Sequence, residues 1–166
     1  MKDMPEIIVI AHNIRSTHNV GSIFRTCEGF GVKKLLLTGY TPYPALPKDG
    51  RLPHIAQKLT AQIHKTALGA ENLVPYTYQE EPDLPALRRD GFHIVALEQA
   101  AGSITLNSYS PPQKIALLIG EEVHGITTEI LKLCDDIVEI PMLGKKESFN
   151  VSVATGIALY GLTVAT

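Results

Sequence analysis

"IPMLGKKESFNVSVATGIALY", residues 140–160, decides how this chain closes. From Val151 onward the residues are apolar or small, and no charge appears before the end of the chain. That run reads as a helix. Ser148, Phe149 and Asn150 stand just before it. A helix start favours Ser or Asn, whose side-chain oxygen accepts an orphan backbone N–H. One cap is enough, so a second polar residue across Phe149 asks for a further role.

"DIVEIPM" (136–142) reads as a strand, and "TTEILKLC" (127–134) before it as a helix. "KIALLIG" (114–120), "FHIVALE" (92–98), "KKLLLTGY" (33–40) and "EIIVIAH" (6–12) are further short apolar runs of strand length. "NVGSIFRTCEGFGV" (19–32) spaces Val20, Ile23, Phe24 and Cys27 as a helix does, and Gly29 and Gly31 end it. "TPYPALPKDGRLP" (41–53) is a Pro-rich loop. "HIAQKLTAQIHKTALGA" (54–70) holds a helix and a turn, "NLVPYTY" is a weak strand broken by Pro75, and "DLPALRRDGF" is a helix closed by Gly91.

Near-continuous apolar strands alternating with helices imply an α/β fold, a mostly parallel sheet covered on both faces. In such sheets ligands bind outside the carboxyl ends of the strands. Three loops leave those ends: "EQAAGS" after 97, "GEEVHG" after 119 and "PMLGKKESFN" after 140. No strand is followed by G-x-G-x-x-G, so a dinucleotide site has little support.

A chain of 166 residues suits one domain, 1–166, and can bury about 70% of its unfolded surface without staples. Cys27 and Cys134 lie far apart, without metal-ligand spacing, and imply two buried thiols in a reducing cytoplasm. No histidine group has ligand spacing, so no metal is expected. No leader and no membrane span is expected. Net charge is −2, against a generic nucleic-acid binder, but its distribution is uneven. Residues 1–66 carry nine Lys/Arg and four Asp/Glu (+5), and residues 67–166 carry six and thirteen (−7). One basic face able to meet a phosphate backbone, or a chance skew on a solvated surface, would each give that pattern.

Three segments carry a resemblance: "NIRSTHNVGSIFRTCEGFGV" (13–32), "ALLIGEEVHGI" (116–126) and "IPMLGKKESFNVSVATGIALY" (140–160). In this order and at these separations the chain resembles the SpoU/TrmH family of the SPOUT class, S-adenosylmethionine-dependent RNA methyltransferases. "HKTALGAE" (64–71) is similar to that family's middle segment. The resemblance spans nearly the whole chain. It implies a C-terminal deep trefoil knot, a homodimer, and methylation of a ribose 2′-hydroxyl in tRNA or rRNA. General connection rules make knots nearly absent, so the knot rests on the resemblance alone.

The resemblance also assigns roles. Arg25, which the residues alone would make a surface arginine packed along its helix or binding a phosphate, becomes the central catalytic residue. A guanidinium stays protonated, with a pKa above about 12, so its weight falls on stabilising a developing alkoxide rather than on taking the proton. Asn19 bonds Arg25 or the nucleotide, or else caps its helix. Glu122, the acid of Gly-x-Glu, holds Arg25 or the ribose hydroxyl, or is a solvated carboxylate, with Glu121 the exposed neighbour. Ser148 and Asn150 face the ribose or orient Arg25, with one of them capping the last helix.

Leu97, Gly120, Ile140, Met142, Ser148 and Phe149 are the expected cofactor slot, since an adenosine needs aliphatic walls and backbone partners; each apolar one is equally plain core. Arg15, His18, Lys48, Arg51 and Lys65 are the candidates for RNA phosphates. The last helix lacks a charged face and should be largely covered, which fits a dimer. Two other readings compete with ribose methylation: a non-catalytic RNA-binding or assembly protein that keeps the knot fold, and base methylation as in other SPOUT branches. The intact set Asn19, Arg25, Glu122, Ser148 and Asn150 favours the enzyme, and Arg25 with Ser-Phe-Asn favours ribose.

Overall fold

The computed structural model describes residues 3–165. Seven strands form one sheet, and every paired strand in it runs parallel. They are β1 (Glu6–His12), β2 (Lys34–Thr38), β3 (Tyr76–Gln79), β4 (His93–Leu97), β5 (Ile104–Thr105), β6 (Lys114–Ile119) and β7 (Asp136–Glu139), in the order β3-β2-β1-β6-β4-β7-β5. The helices are α1 (Thr17–Gly29), α2 (Pro53–Ala67), α3 (Leu84–Arg89), α4 (Thr128–Leu131) and α5 (Val151–Thr163).

Alternate strand residues feed two cores. Val9, Leu35, Leu117 and Ile119 point to the face covered by α1, α2 and α5, where Phe24, Ile63 and Leu159 meet them. Ile8, Ile10, Ile94 and Leu118 point to the face of α3 and α4, against Leu84, Leu87 and Ile130. Both faces are thus buried, which is why the strands read as continuous apolar runs. Each fully buried Ile, Leu or Phe is worth about 1.5–3 kcal/mol of burial, and the six-residue and four-residue helices α3 and α4 depend on it, being too short to persist alone. Gly21 lets α1 cross α2 closely: a Cβ there would collide with the Thr66 hydroxyl and the Ile63 carbonyl.

Three expectations need correcting. The first helix starts at Thr17, earlier than 19, because Ser16 and not Asn19 is its cap, accepting the Asn19 backbone N–H at 3.1 Å. Cys134 is half-buried rather than buried; only Cys27 is sealed in the core. The two-residue strand β5 was not expected; its Ile104 and Thr105 are too few to show periodicity, and it forms by pairing with β7. No helix among the described residues is long and apolar enough to cross a membrane, and no cluster of three metal-binding side chains is present among them.

Candidate active site

The three loops singled out at strand ends meet at the carboxyl edges of β4, β6 and β7. They enclose a cleft of about 310 Å³. Leu97, Gly120, Ile140, Ser148 and Phe149 line it, as expected; Met142 does not. Glu98 and Gln99 from the loop after β4, and Val151 and Ala154 from α5, line it as well and were not foreseen. The loop after β4 carries their signal: a carboxylate and an amide directly beyond a buried strand.

Glycine makes the cleft possible. Gly120 sits where a Cβ would lie 2.5 Å from the Ile126 side chain, and Gly125, at φ +68°, where a Cβ would strike the Glu98 carboxylate. Glu98 in turn accepts the Ile126 backbone N–H at 3.0 Å, and Gln99 Nε2 donates to the Glu147 carbonyl at 2.9 Å. Backbone close to backbone, lined by aliphatic side chains, is the wall an adenosine needs. The residues therefore fit the cofactor that the sequence implied.

At the side of this cleft three motif residues join in one hydrogen-bonded chain. Asn150 Nδ2 donates to Asn19 Oδ1 at 3.2 Å, and Asn19 Nδ2 donates to Glu122 Oε1 at 3.1 Å. Glu122 also accepts the backbone N–H groups of Arg15 (3.1 Å) and Ser16 (3.4 Å). Burial pushes the Glu122 carboxyl up, but the Asn19 amide and these N–H groups outweigh it and leave the pKa below the ordinary carboxylate value. Of the two polar residues in Ser-Phe-Asn, one has a double role. Asn150 caps α5, its Oδ1 accepting from Ser152 and Val153, while its Nδ2 ties the helix to Asn19. Ser148 lines the cleft and makes no hydrogen bond among the described residues.

Arg25 is not part of this chain. It is exposed on α1, forms no ion pair or hydrogen bond among the described residues, and lines a separate hollow with Ser22, Lys65 and Thr66. Neither Asn19 nor Glu122 holds it. Glu121, expected to be the exposed neighbour, is 7% exposed. It turns inward because Oε2 accepts the His124 N–H and Oε1 lies 3.0 Å from Arg15 Nε. That second contact is an ion pair off the hydrogen-bond line, since no donor is aligned on Oε1.

The basic candidates divide. Arg15 and His18 are exposed at a second hollow, and Lys48 and Lys65 are exposed elsewhere. Arg51 has another job. It donates to Asp49 through Nε and Nη2, to the Tyr43 carbonyl at 2.8 Å and to the Pro44 carbonyl at 3.1 Å, and it stacks 3.5 Å over the Tyr43 ring. Four of a guanidinium's five N–H groups are then committed within the loop, which leaves little for a phosphate. Arg51 staples the 41–52 loop.

Residues 6–160 match the SpoU rRNA Methylase family. The tRNA (guanosine(18)-2′-O)-methyltransferase of Aquifex aeolicus is 32% identical over 164 residues, covering 96% of this chain and 69% of that protein. The 23S rRNA (guanosine-2′-O-)-methyltransferase RlmB of Nitrosomonas europaea is 32% identical over 158 residues, 94% of this chain and 55% of that protein. Among solved structures, an AdoMet-bound rRNA methyltransferase from Sinorhizobium meliloti superposes with a TM-score of 0.77 at 23% identity, over 96% of this chain and 56% of that one. The fold class expected from the sequence is thereby established, while the chain spans only about half the length of two of these proteins.

Proposed function

The chain belongs to the SpoU rRNA methylase family, and on that premise we propose that it is an S-adenosylmethionine-dependent methyltransferase acting on a ribose 2′-hydroxyl of tRNA or rRNA. The observation that carries this reading is the Asn150–Asn19–Glu122 chain, which ties all three family motifs together beside the cleft. The cofactor, held by Leu97, Gly120, Ile140 and Phe149, supplies an electrophilic methyl group. The chain's own residues hold and orient the nucleophile. Glu122, kept ionised by Asn19 and two backbone N–H groups, accepts a hydrogen bond from the ribose hydroxyl and fixes its direction. Its lowered pKa makes it a weak base, so it positions the hydroxyl, whose proton leaves to solvent water as the oxygen takes the methyl group. Arg25 stabilises the developing alkoxide.

The reading includes a homodimer. Val153 and Tyr160 of α5 and Val164 at its C-cap are exposed along one stripe, an apolar face that a second copy would cover. Gly156 of α5 lies close to Thr26, the neighbour of Arg25, so Arg25 stands near that face, and we take it to serve the second copy's ribose site. Such a dimer would give a role to an arginine that has no partner among the described residues of its own chain. We also take the chain as a single domain with the knot characteristic of the family, working in the cytoplasm, with Arg15, His18, Lys48 and Lys65 toward RNA phosphates. A non-catalytic RNA-binding role has no observation in its favour.

Purified protein incubated with tRNA or rRNA and methyl-labelled S-adenosylmethionine should yield a 2′-O-methylnucleoside on digestion and mass spectrometry. Label in a base, or in nothing while the cofactor binds, would refute the assignment.

A further inference from the structure

The carboxyl edge of the sheet has a second half, and the cofactor cleft leaves it untouched. Beyond the ends of β1, β2 and β3 lies an open hollow of about 600 Å³. The loops that wall it are locked together. Thr41, fully buried, accepts the Ile14 N–H and donates to the Ala11 carbonyl. Asn13 Oδ1 accepts the Tyr40 N–H at 3.1 Å, and Gly39, at φ +67°, is the only residue type that leaves room for the Asn13 side chain. Arg51 staples the rest of the loop from behind. A preformed hollow at this edge is where an open parallel sheet takes a ligand.

Its side chains have a particular chemistry. Tyr43 is closed to a ligand: Arg51 covers its ring and Tyr78 stacks against it at 4.0 Å. The available ring is Tyr40, 55% exposed and pinned through its backbone. Gln62 of α2 is half-buried in the wall, and its amide, with donors and acceptor, has no hydrogen-bond partner among the described residues. Arg15 and His18 stand exposed at the margin. Arg15 also links the two halves of the edge, since its Nε faces Glu121 and its backbone N–H bonds Glu122, both of which line the cofactor cleft.

From this juxtaposition we propose that the hollow seats one unpaired nucleotide of the RNA: its base lies on the Tyr40 ring, its edge meets the Gln62 amide, and its phosphate meets Arg15 and His18. The seat rests on the RNA-methylating reading above for its place in a reaction, and it deepens that reading by naming where base identity is sensed. A flat aromatic accepts any base, and an amide with a donor beside an acceptor discriminates among edges. The ribose chemistry at Asn19 and Glu122 carries no base identity, so selectivity needs a separate place, and this hollow adjoins it.

The test uses the full chain with ring-labelled tyrosine and the four nucleoside 5′-monophosphates as probes. NMR titration should move the Tyr40 ring signals, identified by their loss in Tyr40→Phe, more than those of the other tyrosines. Gln62→Leu should compress the differences in affinity among the four. In the transfer assay Tyr40→Ala should raise KM for RNA about tenfold, the loss of one base stack, while kcat and cofactor affinity hold. Tyr40 is exposed, and unchanged melting of the variant checks its fold. Tyr40 signals indifferent to all four nucleotides, or a Gln62→Leu protein with its base preference intact, would overturn the seat. A chain that binds nucleotides at Tyr40 yet transfers no methyl would overturn the enzymatic reading and leave the seat standing. A chain that methylates RNA with unchanged KM after Tyr40→Ala would do the reverse.

Discussion

The two halves of the sheet's carboxyl edge draw their walls from the chain in different ways. Beyond β4, β6 and β7 the cleft is assembled from three loops far apart in sequence, and its shape comes from missing side chains, Gly120 and Gly125, and from the Glu98 and Gln99 side chains, which bond backbone groups of the other two loops. Beyond β1, β2 and β3 the hollow takes one side from the loop 41–52, stapled by the Arg51 side chain, and the rest from residues 15–18, Gly39, Tyr40, α2 and Tyr78. A cofactor of fixed shape suits a wall that tolerates almost no change. A variable polymer suits a wall whose residues can be exchanged one at a time. Substitutions should separate the halves: those on the cleft side change turnover, those on the hollow side change how RNA is held.

The largest effect is expected at Arg25. Arg25→Ala should lower kcat by about 10²–10³, the usual loss on removing one donor to a developing oxyanion, with cofactor affinity by calorimetry unchanged. Near-parental turnover would take Arg25 out of the mechanism. Mixing Arg25→Ala with an Asn150→Ala chain sharpens the point. If the arginine serves a second copy's site, the mixture should recover part of the activity that neither variant has alone.

Glu122→Gln comes next, with a drop in kcat of about tenfold or more. The Gln oxygen in the Oε1 place can still accept from Asn19 and the Ser16 N–H, but its NH₂ in the Oε2 place faces the Arg15 N–H, a donor against a donor. The pH dependence has a definite sign. Because the folded pKa lies below the ordinary carboxylate value, the ionised group stabilises the fold above its unfolded pKa, and that stability is lost as pH falls through the folded pKa. Melting temperature measured from pH 6 down to 3 should therefore fall more steeply for the parent than for Glu122→Gln. Parallel curves would mean the carboxylate is solvated in solution.

Much of the fold was legible because its signals are local. The apolar runs of β1, β4 and β6 are buried on both faces and look it, and the Asn150 cap sits one residue before the helix it starts. The strand-end loops were legible as a site because a parallel sheet offers few places for one. What stayed hidden is what distant residues decide. Whether Glu121 or Glu122 turns inward depends on Arg15, more than a hundred positions upstream. The helix cap fell to Ser16 because Asn19 was needed by Glu122 and Asn150. Arg51 misled for a different reason. Its partner Asp49 lies only two residues away, so the pairing was visible in "KDGR", yet a count of positive charge treats a satisfied guanidinium and a free one alike.

That difference sets the third expectation. Arg51→Ala should loosen the 41–52 loop: Tm falls by a few degrees, limited proteolysis opens a site within the loop, and KM for RNA rises while the cofactor still binds. Arg51→Lys should not rescue it, because an ammonium cannot span Asp49 and two carbonyls or stack on Tyr43 in the same way. Full rescue by lysine would return Arg51 to the list of simple phosphate contacts.

Lys48 should give the smallest effect, and it tests the other kind of charge in the same loop. It is exposed, three residues from Arg51, and no ion pair holds it among the described residues. A cation of that kind contributes by releasing a counterion when it meets a phosphate, so Lys48→Ala should reduce the slope of log affinity against log salt by about 0.7–0.9. Melting and turnover at saturating RNA should be those of the parent, and the loss should be equal for every RNA sequence, since a phosphate contact reads none. Arg51→Ala should behave in the contrary way, with melting changed and the salt slope nearly kept. If the two variants shift the salt slope alike and leave Tm alike, the loop carries two phosphate contacts and no staple. If Lys48→Ala instead alters which sequences bind, its ammonium reads a base edge, and the hollow's recognition surface extends from Tyr40 to the tip of the loop.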